Sequence, residues 1–396
     1  MPVPPLHGYR VLELAHLIAG PVAGLYLADL GADVIKVESP DGGDAARTVY
    51  AGPGGDSPVF LAVNRNKRSL ALDLRRPEGH AVFLRLVERA DVVIEAYRGG
   101  TAERLGIDYA RLASRNPRLI YCSLSAFGPT GPWRDKPGLD MLVQALGGLM
   151  AVTGEPGGGP VLTGAPVVDT IGALLAGQGI LTALLHRERT GEGQRVDVSL
   201  LDGLLLAHTA RLSVFLATGE EPGRLGSAHP HMAPFQAFRC RDGWIYVAVW
   251  VERLWRPFCE AIGRPDLAAD PRFATGAERV RHRDVLASAL AEVFAAATVE
   301  EWLTRLQARD VLCAPVNRYR DLPNDPQVVA SGMLVEQDHP RAGRVRALAT
   351  PVRFSRTPGT LRTPAPALGE HTDAVLAEAG LAPADIARLR ADKVVR

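Results

Sequence analysis

The sequence predicts an α/β fold, with a large domain on a mostly parallel sheet followed by a smaller α+β domain. Two observations lead there. The first third of the chain alternates short apolar runs with helical patterns, as a parallel sheet covered on both faces requires. Near Gly219 that pattern gives way to a stretch rich in Gly, Pro and His, and strand-like alternation then resumes around a hairpin signal.

Arg10-Val-Leu-Glu-Leu14 is the first expected strand. Gly20-Pro21 opens a helix that runs to about Leu30, Gly31 ends it, and Asp33-Val-Ile-Lys-Val-Glu38 is the second strand. Together they form a compact βαβ unit. Further strands are expected at Ser69–Asp73, Val92–Glu95 and Leu119–Ser123, separated by helices over 77–89 and 108–116. This alternation makes the large domain Rossmann-like. Helices dominate from about 139 to 217. Phe235-Gln-Ala-Phe-Arg and Trp244-Ile-Tyr-Val-Ala-Val flank Asp242-Gly243, a hairpin turn pair, and helical patterns follow at 252–262, 277–296 and 298–309. The expected division is 1–221 for the first part of the large domain, 222–325 for the small one, and 326–396 for a segment returning to the large domain.

The 396 residues carry 45 basic and 44 acidic side chains, for a formal net charge of +1. That balance gives no electrostatic footprint for bulk nucleic acid or an anionic membrane, so an anionic ligand needs a local cluster. Cys122, Cys240, Cys259 and Cys313 are too scattered for a disulfide framework or a zinc site, and they suit a reducing cytoplasm. The opening Met-Pro-Val-Pro-Pro-Leu-His-Gly has neither the basic nor the apolar region of a signal peptide. Residues 161–185 are apolar enough for a membrane span, but Asp169 and Gln178 interrupt them and favour a buried core helix.

Asp169 is the only ionisable side chain between Glu155 and His186. A carboxylate among so many apolar neighbours must pair, bond backbone N–H groups or raise its pKa. With Pro166 as first helical residue, Asp169 falls about one turn in, near the positive end of the helix dipole, which favours the ionised form. Such a carboxylate can complete a helix terminus or serve as a nucleophile, and position alone leaves both open. The loop His16-Leu-Ile-Ala-Gly20 can present backbone N–H groups to a ligand or be a plain turn, and it lacks the glycine spacing of a dinucleotide fingerprint. A basic cluster, Asn64-Arg-Asn-Lys-Arg-Ser69, precedes one strand, while Arg98 and Arg104 follow another. Loops at strand carboxyl ends line the ligand crevice of a parallel sheet, which suits Arg98 and Arg104 for phosphates better than Lys67 and Arg68. Arg47, Arg211 and Arg224 are available for a further carboxylate.

Several segments, taken in order, resemble one family. They are Leu14-Ala-His-Leu-Ile-Ala-Gly-Pro21, Leu30-Gly-Ala-Asp-Val-Ile-Lys-Val-Glu38, Gly43-Asp44, Asn66-Lys-Arg-Ser-Leu-Ala-Leu-Asp73 and Gly128 to Pro132. Gly164 to Asp169, Thr190 to Ser199 and Leu368-Gly-Glu-His-Thr-Asp373 complete the set. Over almost its entire length the chain resembles the class III coenzyme A transferases (CaiB/BaiF), which include formyl-CoA transferase and the carnitine CoA-transferases.

The resemblance implies a CoA-transferase in which Asp169 attacks an acyl-CoA thioester to form an acyl-aspartyl anhydride. CoA thiolate then converts the anhydride to an aspartyl-CoA thioester, and an incoming carboxylate reverses the sequence. It implies no ATP, no metal and no permanently bound cofactor, since coenzyme A or acyl-CoA is the substrate. The implied partners are an acyl-CoA donor, a carboxylic acid acceptor and a second copy of the chain, in an intertwined homodimer of ring-like chains. His16, Leu17, Ile18 and Ala19 match the loop along the pantetheine, and Lys67, Arg98, Arg104 and Lys136 match contacts to the nucleotide or pyrophosphate. Ile18 stands where formyl-CoA transferase has glutamine, and Ser39 where it has arginine. Gly226 to Phe238 replaces its glycine-rich cover loop and is closer to the branch acting on longer or dicarboxylic acids. A dicarboxylic or medium-sized acid, such as that of a succinyl-CoA-type donor, is therefore expected, rather than formate or oxalate as acceptor. Two other readings compete. An α-methylacyl-CoA racemase needs a second base, but Gly138-Leu139-Asp140 stands where that branch has Gly-His-Asp, and leucine cannot move a proton. A non-catalytic acyl-CoA-binding protein would have no need of Asp169.

Overall fold

The structure, a computed structural model, describes residues 3–50, 52, 55 and 57–396, so Met1 and Pro2 of the opening stretch lie outside the described residues. The chain forms two compact units. One comprises Met1–Leu149, Thr163–Gly219 and Gln327–Arg396, and the other Met150–Leu162 and Glu220–Pro326. Residues 150–162, expected in the large domain, thus belong to the second unit.

In the first unit the elements run β1 (Arg10–Leu14), α1 (Ala19–Asp29), β2 (Asp33–Glu38), α2 (Pro58–Val63), β3 (Lys67–Ala71), α3 (Pro77–Val87) and β4 (Val92–Glu95). There follow α4 (Thr101–Leu105), α5 (Tyr109–Arg115), β5 (Ile120–Ser125), α6 (Asp140–Leu146), α7 (Leu149–Val152, which passes into the second unit), α8 (Val167–Thr190), β6 (Gln194–Ser199), α9 (Leu200–Ala207) and α10 (Thr209–Thr218). The six strands form one wholly parallel sheet in the order β3-β2-β1-β4-β5-β6. This is the doubly wound order, in which the winding reverses between β1 and β4 and opens a crevice at their carboxyl ends.

Successive side chains on a strand point to opposite faces, so each central strand feeds two cores. Val11, Val34, Val92, Ile94, Ile120 and Cys122 face one side, where α1 and α8 cover them. Leu12, Leu14, Ile35, Val37, Val93 and Tyr121 face the other, against Val82, Phe83, Leu86 and Val87 of α3 and the carboxyl-terminal helices. The long apolar helix α8 is a core helix along one face: Val168, Gly172, Ala173, Ala176, Ile180 and Ala183 are buried. Its glycines set the spacing, because a Cβ on Gly172 would lie 2.2 Å from Leu200 Cδ2. The carboxyl-terminal stretch carries a short helix (Pro326–Ser331), a hairpin of two strands (Leu334–His339 and Gly343–Leu348), then two helices (Thr372–Glu378 and Pro383–Ala391). It returns along the β3 edge, where Leu72 bridges Val395.

The second unit holds an antiparallel sheet of β7 (Phe235–Arg239), β8 (Trp244–Ala248) and β9 (Leu312–Pro315), covered by helices between Trp255 and Gln307. Its core is aromatic. Phe238 stacks on Phe294 with centroids 4.7 Å apart, and Trp302 Nε1 donates to the Phe294 carbonyl.

Candidate active site

The site is built at the carboxyl edge of the parallel sheet. Both α1 and α8 lead into the next parallel strand, so both begin at that edge, and they pack side by side. The expected loop lies there: His16 and Leu17 follow β1, Ile18 caps α1, and Ala19 opens it. Leu17 adopts φ +63°, a left-handed conformation that is strained for a bulky residue. The loop is fixed from below. Leu17 N donates to Asp44 Oδ1 at 3.0 Å, Lys36 Nζ donates to the Ala15 carbonyl at 2.8 Å, and Lys36 pairs with Asp44 Oδ2 at 2.8 Å. Burial alone would raise the Asp44 pKa, but His16, Lys36 and the Leu17 N–H hold it well below the usual carboxylate range.

Across the switch point, His16 faces Tyr97 with ring centroids 6.2 Å apart, which places Arg98 on the strand end beside the His16 loop. A cavity of about 410 Å³ opens at the ends of β4 and β5, lined by Arg98, Arg134 and Arg195 together with the carboxylates of Glu95, Glu103, Asp108 and Asp135. Lys136, on the exposed turn after β5, lies over the Trp133 ring at 4.0 Å. That turn abuts the Arg98 loop, since a Cβ on Gly99 would meet Arg134 O at 2.6 Å. Arg104 is exposed on α4 but lines a different groove of about 610 Å³, with Arg75, Arg76 and Arg111. Arg98 and Arg104 therefore do not meet in one hollow.

Lys67 requires a correction. Expected at the nucleotide, it is sealed inside the unit, with its ammonium 2.7 Å from Glu13 Oε2, 2.7 Å from the Pro21 carbonyl and 2.9 Å from Asn64 Oδ1. It is the first residue of β3, so it enters the sheet from the amino end rather than overhanging the ligand edge. Burial pushes its pKa down to about 8, the Glu13 carboxylate opposing and the Lys36 ammonium assisting. Arg47, one of the arginines noted for an acceptor acid, is likewise buried and clasps Glu38 at 2.7 Å.

Asp169 sits in the first turn of α8, partly buried, with Pro166 as the cap rather than the first helical residue. The expectation that the helix terminus keeps it ionised is also corrected. The N–H groups of Val168 and Asp169 both donate to Asp140 Oδ2, at 2.8 and 3.1 Å, so another carboxylate has taken the favourable position. Burial, and then the charge of Asp140, push the Asp169 pKa up to about 7. Asp140 is itself held by Gln144 Nε2 at 2.6 Å, and the same amide donates to Thr163 Oγ1. Asp140, Gln144 and Asp44 received no role from the sequence. Gly43-Asp44 had only marked the resemblance, and nothing local joins Asp140 to a helix terminus 28 residues downstream. Leu139, where a racemase needs its base, is half exposed and apolar. Among the described residues no group of three or more His, Cys, Asp or Glu side chains could hold a metal ion.

A carboxylate with its pKa near neutrality, at the same edge as a strained backbone loop and an arginine-bearing polar cleft, suits covalent attack on a thioester. The chain is 39% identical to the succinate–glutarate CoA-transferase of Agrobacterium fabrum over 95% of this chain and 96% of that one. It is also 39% identical to the succinyl-CoA:mesaconate CoA-transferase of Haloarcula hispanica, over the same shares of each. A CaiB/BaiF family protein from Brucella suis superposes with a TM-score of 0.87 at 39% identity, covering 96% of this chain and 100% of that one. Residues 6–372 match the family model, and the chain belongs to CoA-transferase family III.

Proposed function

We propose that this CoA-transferase exchanges coenzyme A between a succinyl-CoA-type donor and a dicarboxylic acid longer than oxalate through covalent intermediates on Asp169. The observation carrying the mechanism is the placement of Asp169: on the first turn of α8, partly buried, with its pKa pushed up to about 7. A carboxylate there is deprotonated in substantial part at neutral pH and more basic than an exposed aspartate, which makes it the better nucleophile. One Asp169 oxygen attacks the thioester carbonyl, the C–S bond breaks, and CoA leaves as thiolate. The thiolate attacks the aspartyl carbonyl of the anhydride and releases the donor acid, leaving CoA on Asp169 as a thioester. The acceptor carboxylate attacks that thioester, thiolate leaves again, and its attack on the acceptor's carbonyl yields the new acyl-CoA and free Asp169. Each step exchanges one activated acyl group for another, so the steps lie close in energy.

The succinate–glutarate and mesaconate transferases support a dicarboxylate substrate. For the CoA moiety, His16, Leu17, Ile18 and Ala19 along the pantetheine, with Arg98, Arg104 and Lys136 toward the nucleotide, form the binding set. We also propose that the enzyme works in the cytoplasm, in keeping with its four free thiols, and as an intertwined homodimer. Purified enzyme incubated with succinyl-CoA and a panel of succinate, glutarate, mesaconate, oxalate and formate, with products resolved by mass, tests the substrate class. Formate or oxalate outrunning every larger acid would overturn it. Hydroxylamine added during turnover should modify the Asp169 peptide, and modification of Asp140 or Glu38 instead would show the nucleophile to be misplaced.

A further inference from the structure

Beneath the His16 loop lies a closed group of charges that the proposed chemistry does not use. Glu13, Lys36, Asp44 and Lys67 are all fully buried. Lys36 Nζ reaches Glu13 Oε1 at 2.9 Å, Asp44 Oδ2 at 2.8 Å and the Ala15 carbonyl at 2.8 Å. Asp44 Oδ1 accepts from Leu17 N at 3.0 Å and Ala46 N at 2.8 Å, with His16 Nδ1 3.8 Å away. One ion pair thus holds the backbone on both sides of His16, the Ala15 carbonyl through its cation and the Leu17 amide through its anion. The residue so gripped is the one with φ +63°. A non-glycine residue keeps that conformation only when its surroundings over-determine it, and such strain gathers where a ligand demands a fixed backbone. Lys67 shares Glu13 with Lys36, but its other partners are Pro21 and Asn64, and it does not touch Ala15–Leu17.

We propose that Asp44, backed by Lys36, is a positioning residue that locks the His16–Leu17 backbone in the conformation needed to receive the acyl-CoA thioester. The proposal rests on the CoA-transfer reading above. It explains why two lysines and two carboxylates are buried where a hydrophobic cluster would fill the space at lower desolvation cost: an apolar filling could not hold a carbonyl and an amide of one strained turn.

The test compares three variants. Asp44→Asn keeps the volume and one acceptor but turns a donor toward Lys36. Lys36→Gln frees Asp44 and Ala15 together, and serves should Asp44→Asn fail to fold. Lys67→Met disturbs the same buried cluster without touching the loop. Roughly 10- to 100-fold loss of kcat/KM for acyl-CoA is expected in Asp44→Asn and Lys36→Gln per folded molecule, in line with displacement of a positioned group by a fraction of an ångström to an ångström. Lys67→Met should lose far less. Hydrogen exchange of the 15–19 peptide, measured without substrate, should quicken in Asp44→Asn but not in Lys67→Met. Equal losses in Asp44→Asn and Lys67→Met would overturn the positioning role. Unchanged exchange of the 15–19 peptide in Asp44→Asn would overturn it even with wild-type transfer intact. A wild-type enzyme that moves no CoA sinks the transfer reading instead, whatever the peptide shows.

Discussion

Asp169 shows how one contact inverts a local expectation. A carboxylate in the first turn of a helix is ordinarily stabilised by free N–H groups and the dipole, yet here Asp140 accepts from Val168 and Asp169 and adds a like charge. The Asp169 proton is thus released at about pH 7. In the proposed mechanism only the carboxylate attacks, so kcat/KM should climb as pH rises through about 7 and level off above it. Asp140→Asn retains an oxygen for the two N–H groups but loses the charge, so the midpoint should move to lower pH; a midpoint that stays or rises would refute the coupling. Stability runs the opposite way. A carboxyl whose folded pKa is raised binds its proton more tightly folded than unfolded, so the fold loses stability as pH rises from about 4 to about 7. Asp169→Asn removes that penalty. It should abolish turnover yet be about 1–3 kcal/mol more stable than wild type at pH 8, with the gap closing by about pH 4, as urea titrations at the two pH values would show.

The strands and helices differ in how openly the sequence declares them, and the difference is physical. β1, β2 and β4 are buried on both faces and read as short apolar runs, so their bounds match the residues observed. β6, Gln194–Ser199, was not foreseen. It is an edge strand whose Gln, Arg and Asp alternate with valine, set within a stretch that reads as helical. Asp169 was legible because a lone carboxylate in an apolar run must be accounted for. Lys67 was misplaced because a run of basic residues declares charge but not direction, and only the packing of its ammonium against Pro21 of α1 and Glu13 of β1 shows that it points inward. The same packing makes Gly24 on α1 obligatory: a Cβ there would fall 1.9 Å from Glu13 Oε2, an oxygen held by Lys67. Gly24→Ala must therefore break a buried ion pair or move the helix, and should cost about 2–4 kcal/mol in chemical denaturation. A loss below about half a kcal/mol, typical of a surface substitution, would mean that the Glu13–Lys67 pair is not fixed as described.

The chain as a whole leaves much apolar surface uncovered on neighbouring helices of the first unit. Leu142 and Leu146 of α6, Leu174, Leu181 and Leu185 of α8, Leu206 of α9 and Leu216 of α10 are all exposed, and α6, α8, α9 and α10 are joined by packing along the series. Isolated exposed leucines need no explanation, but an apolar cluster on adjoining helices marks an interaction surface. A net charge of +1 offers no repulsion to keep two copies apart. The apolar helices and the family resemblance together support a homodimer, and light scattering should give about twice the 42.4 kDa of one chain. Leu181→Glu combined with Leu185→Glu places two charges on the exposed side of α8 and should lower that mass or cause aggregation; a full-mass, active double variant would show that α8 faces solvent in the assembly. The proposed interlocking of two chains makes a stricter demand. Rings that thread each other cannot part without much of one chain opening, so dissociation is coupled to unfolding and the dimer's stability is inseparable from that of its subunits. Tagged and untagged enzyme, mixed and incubated under native conditions, should form no hybrid dimers over hours, and hybrids should appear only after joint denaturation and refolding. Hybrids forming within minutes would leave a dimer in place but rule out threaded chains.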